Sequence, residues 1–296
     1  MDNTAYRIDK KRVRASFGRA AASYDDAAVM QQEVLKRMLD RLDLVKLQPR
    51  AILDVGCGTG LGALRLAGRY KDSRVLALDI ALPMLRLAAG RRSWLAKLAR
   101  RARQAFVCGD IEALPLQDGC MDIVWSNLAM QWCNDPDLAF REFHRTLRPE
   151  GLLMFSTFGP DTLMELREAA NVDPTHTHVS RFLDMHDIGD ALVRAGFANP
   201  VMDVERFTLT YDDVQGVMRD LKAIGASNAT EGRPRGLEGK SFLQRLADHY
   251  ERFRREGKLP ATYEVVYGHA WKAQASPQLP DGAQPITLHQ RMMRHK

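Results

Sequence analysis

The sequence predicts an α/β fold, a doubly wound and mostly parallel sheet of seven strands, and three observations carry that prediction. An apolar run, Ala51 to Val55, is followed by glycines at alternate positions, Gly56, Gly58, Gly60 and Gly62, and by a helix beginning near Leu61. Two later apolar runs also end in an acid, at Asp79 and at Asp110. Between residues 51 and 158 strand and helix signals alternate through five strands, the rhythm of right-handed crossovers.

With 296 residues and 45% hydrophobic content, the chain can bury one large core and carry helical insertions. No apolar run approaches the length of a membrane span and Met1 to Lys11 is polar, so a cytoplasmic protein with no membrane partner is expected. Cys57, Cys108, Cys120 and Cys133 form no C-x-x-C pair, which argues against a disulfide framework or a zinc site. The net charge of +6 is concentrated. Arg86, Arg91, Arg92, Lys97, Arg100, Arg101 and Arg103 occur with no acid among them, which points to a local anionic partner and away from nucleic acid.

In chain order, residues 1 to 12 are charged and expected to be disordered. From Val13 a helix, a turn at Tyr24, Asp25 and Asp26, and a second helix with Val29, Val34, Leu35, Met38 and Leu42 at helical spacing should pack over the ligand end of the sheet. Strand Arg74 to Asp79 leads to a helix from about Leu82, strand Ala105 to Gly109 ends at Asp110, and Met121 to Ser126 is the fourth strand. Asp135 and Pro136 open a helix with Leu138, Phe140 or Phe143, and Leu147 inward; Arg148 to Gly151 then turns into strand five, Leu152 to Phe158. Beyond it come a helix over Pro160 to Ala170 and a polar loop with His176, His178, Ser180 and Arg181. A helix Asp187 to Ala195, a strand Pro200 to Tyr211, helices Asp213 to Ile224 and Ser241 to Arg255, and a strand Thr262 to Trp271 complete the order. The folded domain is therefore 13 to 272, with helical caps at about 159 to 183 and 212 to 258, and 273 to 296 as a tail. The two histidines lack a third ligand nearby, so no metal site is expected.

The glycines alone also fit a phosphate-gripping G-x-G-x-x-A site read from Gly58. The acid decides between the two. Asp54 lies inside the first strand, where a carboxylate repels a pyrophosphate and suits a ligand carrying an ammonium or sulfonium. Asp79, 25 residues later, is placed to accept both hydroxyls of a ribose, or simply to cap the next helix. Ligands meet the carboxyl ends of such strands, so Asn127, Leu128 and Gln131 should face the reacting group, while Trp132 fits there or in the core.

The D-x-G-x-G-x-G pattern of Asp54 to Gly60 resembles the first motif of the class I S-adenosyl-L-methionine (SAM) methyltransferases, which have a Rossmann-like fold. That resemblance implies SAM as cofactor, with Asp54, Gly56, Gly58 and Gly60, then Asp79, Ile80 and Met84, then Asp110 and Ile111 at the adenine end. SFGRAAASYD, LDVGCGTG, GDIEALPL, WSNLAMQWC, TLRPEG and LKAIGASNATEGR together resemble the BioC family, malonyl-acyl-carrier-protein O-methyltransferases of biotin synthesis, over residues 13 to 272. The longer region at Arg91 to Arg103 and the tail depart from the family pattern. FGPDTLMELR and LPATYEVVYGHAWK also resemble a related mitochondrial complex I assembly factor, arginine hydroxylase-like, and a SAM-fold partner without catalysis is a third reading. The family resemblance implies methyl transfer to a malonyl carboxylate on acyl carrier protein; Arg181 and Arg219, in the inserted region expected to cover the site, are the candidates to orient that carboxylate, and the basic stretch reads either as a docking surface for the acidic carrier protein or as a solvated helix face. Tyr24 is expected either at a substrate or cofactor carboxylate or as an aromatic staple.

Overall fold

The computed structural model describes residues 3–91, 103–170, 177, 179–233 and 240–274. Strands β1 (Ala51–Val55), β2 (Arg74–Asp79), β3 (Gln104–Cys108), β4 (Met121–Asn127), β5 (Leu147–Phe158), β6 (Phe197–Tyr211) and β7 (Leu259–Lys272) form one sheet in the order β3-β2-β1-β4-β5-β7-β6. β1 to β5 pair in parallel, and β7 inserts antiparallel between β5 and β6. The order reverses at β1, and β1 carries Asp54. A crevice outside the strand ends at such a point is where a doubly wound sheet takes its ligand.

Alternation along β1 sends Ile52 to one face of the sheet and Leu53 to the other, and each face has its own core. On the first, Val34, Met38, Leu66 and Trp125 pack beneath α3 (Val29–Arg41) and α4 (Leu61–Arg69). On the second, Phe140, Phe143, Phe155 and Leu192 pack under α6 (Pro136–Thr146) and α8 (Met185–Arg194). The rings of Phe140 and Phe155 meet edge to face at 5.4 Å, and each side chain so buried contributes about 2–3 kcal/mol. The remaining helices are α1 (Lys10–Ala20), α2 (Tyr24–Ala27), α5 (Leu82–Gly90), α7 (Met164–Ala170), α9 (Val214–Ala223) and α10 (Lys240–Tyr250).

Local signals explain where the helices start. Asp9, Asp135, Asp184 and Asp213 each accept a backbone N–H at the start of α1, α6, α8 and α9, and Pro136 occupies the first helical position of α6. That cap places Leu138 in the first turn toward solvent, so Ala139, Phe140, Phe143 and Thr146 form the inward face and Leu138 does not.

Three further expectations are corrected. Residues 3 to 12 are ordered: Ile8 bridges to Thr230, the Ile8 N–H donates to Asn134 Oδ1 at 2.7 Å, and the Asp9 N–H donates to the Ala229 carbonyl at 2.8 Å. A charged composition does not reveal such long-range pairing. β5 begins at Leu147, running through the expected turn, with Glu150 at φ 64° absorbing the kink. The helix expected from Pro160 starts only at Met164, because Leu163 takes φ 54° and its N–H donates to the Thr262 carbonyl. His176, His178, most of the basic stretch and all but two residues of the tail lie outside the described residues.

Candidate active site

The glycine turn after β1 is built around Asp79. One oxygen of its carboxylate accepts the Gly58 N–H at 2.9 Å and the other the Ala81 N–H at 2.8 Å, so it both shapes the loop and starts α5. The acceptor capacity the carboxylate has left is available to a ribose hydroxyl. Gly56 at φ 69° and Gly58 at φ 54° turn the backbone into the cleft, and a Cβ on Gly56 would lie 2.3 Å from that of Ala129. Asp54 is buried, and its Oδ2 has no hydrogen-bond partner. Burial, with the neighbouring Asp79 charge, pushes its carboxyl up to about 7 against the pull of the Ala63 N–H. A ligand ammonium would satisfy that orphaned oxygen, so these residues fit the amino acid end of SAM.

Two narrow compartments make up this cleft. Asp79, Ile80, Met84, Asp110 and Ile111 line one, Asp25, Asp54 and Thr59 line the other, and Tyr24, Gly56, Gly58 and Asn127 line both. At the Asp110 end of the cleft, Asp110 Oδ1 accepts from Lys10 Nζ at 2.6 Å, and Lys10 reaches Glu112 at the same distance. Those pairings hold the Lys10 ammonium above its ordinary range despite burial, which opposes them.

Helix α1 is the wall between this cleft and a much larger cavity of about 900 Å³. Lys10, Val13 and Phe17 face the cleft, while Arg12, Ser16 and Arg19 face the cavity; spacings of three and four residues put each set on one side. Phe17 packs edge-on against Trp132 at 5.2 Å, and both rings line both spaces. Tyr24 stands where all three spaces meet. Burial and the charges of Asp79 and Asp25 hold its phenol protonated far above neutral pH, which excludes it as a base. Among the described residues the cavity is lined by Arg12, Arg19, Arg219, Lys222 and Arg233 and by no acid. Asp25, Asp54, Asp79 and Asp110 line the cleft; among the described residues Lys10 is the cation that lines it with them, and Arg91 pairs with Asp25 from beside it.

A methyltransferase domain model matches residues 53–155. The malonyl-acyl-carrier-protein O-methyltransferase of Methylovorus sp. strain MP688 is 62% identical over 98% of both chains, and that of Gallionella capsiferriformans is 59% identical over 90% of this chain and 91% of its own. The chain belongs to the malonyl-acyl-carrier-protein O-methyltransferase family. Solved structures resemble this family member in fold: the YcgJ protein of Bacillus subtilis, at 16% identity and TM-score 0.57, covers 80% of this chain and 98% of its own. The cyclase SpnF, at 20% identity and TM-score 0.51, covers 81% of each. A cyclase on the same fold shows why chemistry has to be argued from the site.

In this methyltransferase the expected residues separate. Asp54, Gly56, Gly58, Asp79, Ile80, Met84, Asp110, Ile111, Asn127 and Leu128 surround the cleft. Gly60 does not: a Cβ there would meet that of Ala88 at 2.6 Å, so it packs the loop on α5. Gln131 lines the large cavity, its amide tied to the Leu128 carbonyl at 2.7 Å. Asn127 donates to the Gln31 carbonyl and accepts from Ser156, which leaves it a positioning role. Arg219 lines the cavity; Arg181 is exposed outside it, between Ser180 and Phe182, which do line it. Arg91, counted with the basic stretch, turns inward to Asp25 and to the Thr59 carbonyl at 2.7 Å. Lys10, Arg12 and Arg233 were not singled out by sequence; the helical spacing of Lys10, Val13 and Phe17 was the available signal, and Trp132, left open between site and core, lines both spaces.

Proposed function

We propose that this protein transfers the methyl group of SAM to the free carboxylate of a malonyl thioester on acyl carrier protein, an early step in biotin (pimeloyl) synthesis. The observation that carries the reading is the division of charge across α1, acids on the cofactor side and cations on the other. A sulfonium and a carboxylate are the charges those two spaces complement, and they meet at Tyr24.

SAM supplies an electrophilic methyl group whose leaving atom is a neutral thioether sulfur. A carboxylate oxygen forms the new bond as the sulfur–methyl bond breaks, and that bond's electron pair stays on sulfur. No proton moves, because a carboxylate is already ionised at neutral pH. The chain's task is alignment and exclusion of water. Phe17, Trp132 and Leu128 make the junction apolar, and Arg219, on a helix packed against that of Tyr24, orients the carboxylate. Esterification removes the negative charge and with it the pairing to Arg219, which releases the product. The acidic carrier protein docks on the basic stretch of Lys97, Arg100, Arg101 and Arg103, so its association weakens with salt.

Mass spectrometry of malonyl-carrier protein incubated with SAM and this protein should show one methyl added to the malonyl group. Methylation of carrier protein lacking the malonyl group, or no methylation at all, would overturn the reading.

A further inference from the structure

The acceptor cavity holds more cations than a malonyl carboxylate needs. That carboxylate must lie at the junction marked by Tyr24, in contact with the methyl group it attacks. Arg12 lies in the first turn of α1, at the end where Lys10 pairs with Asp110. Tyr24 lies past the other end of this 11-residue helix, which rises about 16 Å. Arg12 is therefore too far along the wall to hold the reacting carboxylate.

Beside Arg12 stands Arg233. The two guanidinium groups are held from behind: Arg12 Nε donates to the Asn228 carbonyl at 3.0 Å, and Arg233 Nη1 to the Thr230 carbonyl at 2.7 Å. Asp9 is the nearby acid, 3.6 Å from Arg233 Nη2, and it is shared with the cap of α1. Ser16 and Ser227, hydroxyl to hydroxyl at 3.1 Å, complete the polar wall. Burial first, then the nearness of Arg233 and Arg19, lowers the Arg12 pKa, with Asp9 opposing them.

We propose that Arg12 and Arg233 form a phosphate subsite that takes the phosphodiester of the carrier protein's pantetheine arm, separate from the carboxylate subsite near Tyr24. The inference rests on the malonyl-thioester reading above. A thioester whose carboxylate is at the junction extends its pantetheine arm along the cavity, away from the methyl donor. The phosphodiester is the next anion on that arm. Paired guanidinium groups with fixed orientation suit its oxygens better than a lysine would.

Three substrates test this: malonyl-carrier protein, malonyl-CoA, and malonyl-N-acetylcysteamine, which has no phosphate. In the R12Q/R233Q variant KM for the first two should rise about tenfold or more, as expected for lost charge-assisted hydrogen bonds, while KM for the third stays put. R233K should recover part of the loss. Equal losses on all three would assign the pair to the carboxylate and overturn the proposal; no loss on any would make the pair structural and also overturn it. If the variant does not fold, calorimetry on the wild-type protein decides. Phosphopantetheine should bind more tightly than pantetheine, and equal binding would sink the subsite. Failure of the functional reading shows separately, as absence of wild-type turnover on all three thioesters.

Discussion

The cofactor cleft and the acceptor cavity share one wall and are built on opposite plans. Strand ends and a glycine turn make the cleft: its acids sit on rigid elements, its Gly58 and Ala81 N–H groups are already held by Asp79, and it is narrow. Helices α1, α7, α9 and α10 and the loop around Asn228 make the cavity, which is wide, apolar at Phe158, Phe182 and Tyr263, and cationic along α1 and α9. On the proposed reading, the difference teaches that the sheet would fix the methyl donor while α1 and the inserted helices would choose the acceptor. Substitutions in the cleft should therefore act on SAM affinity, and substitutions in the cavity on the acceptor.

The largest effect is expected from Asp79→Ala. It removes the acceptor of the Gly58 and Ala81 N–H groups as well as the ribose partner, so SAM affinity should fall at least about 100-fold, or about 3 kcal/mol. Calorimetry measures this directly, and unchanged binding would remove Asp79 from the site.

The pH dependence of SAM binding follows in size. Asp54 has a raised folded pKa, so whatever stability its protonated form lends is complete below about pH 4 and lost as pH rises through about 7. A ligand ammonium favours the ionised form instead. SAM binding should release a proton and weaken about tenfold per pH unit below about 7. Calorimetry in buffers of different ionisation enthalpy should detect that proton, and a flat profile would mean that the ammonium sits elsewhere.

On the acceptor side, Arg219→Ala should raise KM for the malonyl thioester about tenfold with SAM affinity unchanged, whereas Arg181→Ala should stay within about twofold. A fall in SAM affinity in the Arg219 variant would blur the separation of the two spaces. Smallest is Tyr24→Phe: turnover should drop less than about tenfold with no new limb in the pH–rate profile, since the phenol stays protonated.

Legibility in the sequence followed the same division. The strands that end at Asp54, Asp79 and Asp110 could be read because apolar runs, glycine spacing and acids are local signals, and the sheet then brings the acids to one edge. Arg219 was legible as a candidate, but Arg181 could not be separated from it, because a loop residue's direction depends on neighbours such as Phe182. Lys10, Arg12 and Arg233 were hidden for a stronger reason. Their placement depends on residues 8 and 9 pairing with 229 and 230, a contact across most of the chain that no window of sequence contains.

That contact also sets the order of events. Because α1 lines the cleft on one side and the cavity on the other, any displacement of it that opened the cleft would dismantle the cavity as well. Turnover should accordingly be sequential and compulsory: SAM enters first, the carrier-bound ester departs next, and S-adenosylhomocysteine leaves last. Product inhibition should display this, with S-adenosylhomocysteine competing against SAM and not against the malonyl substrate. Product inhibition of that pattern would make the N-terminal helix the clock of the catalytic cycle.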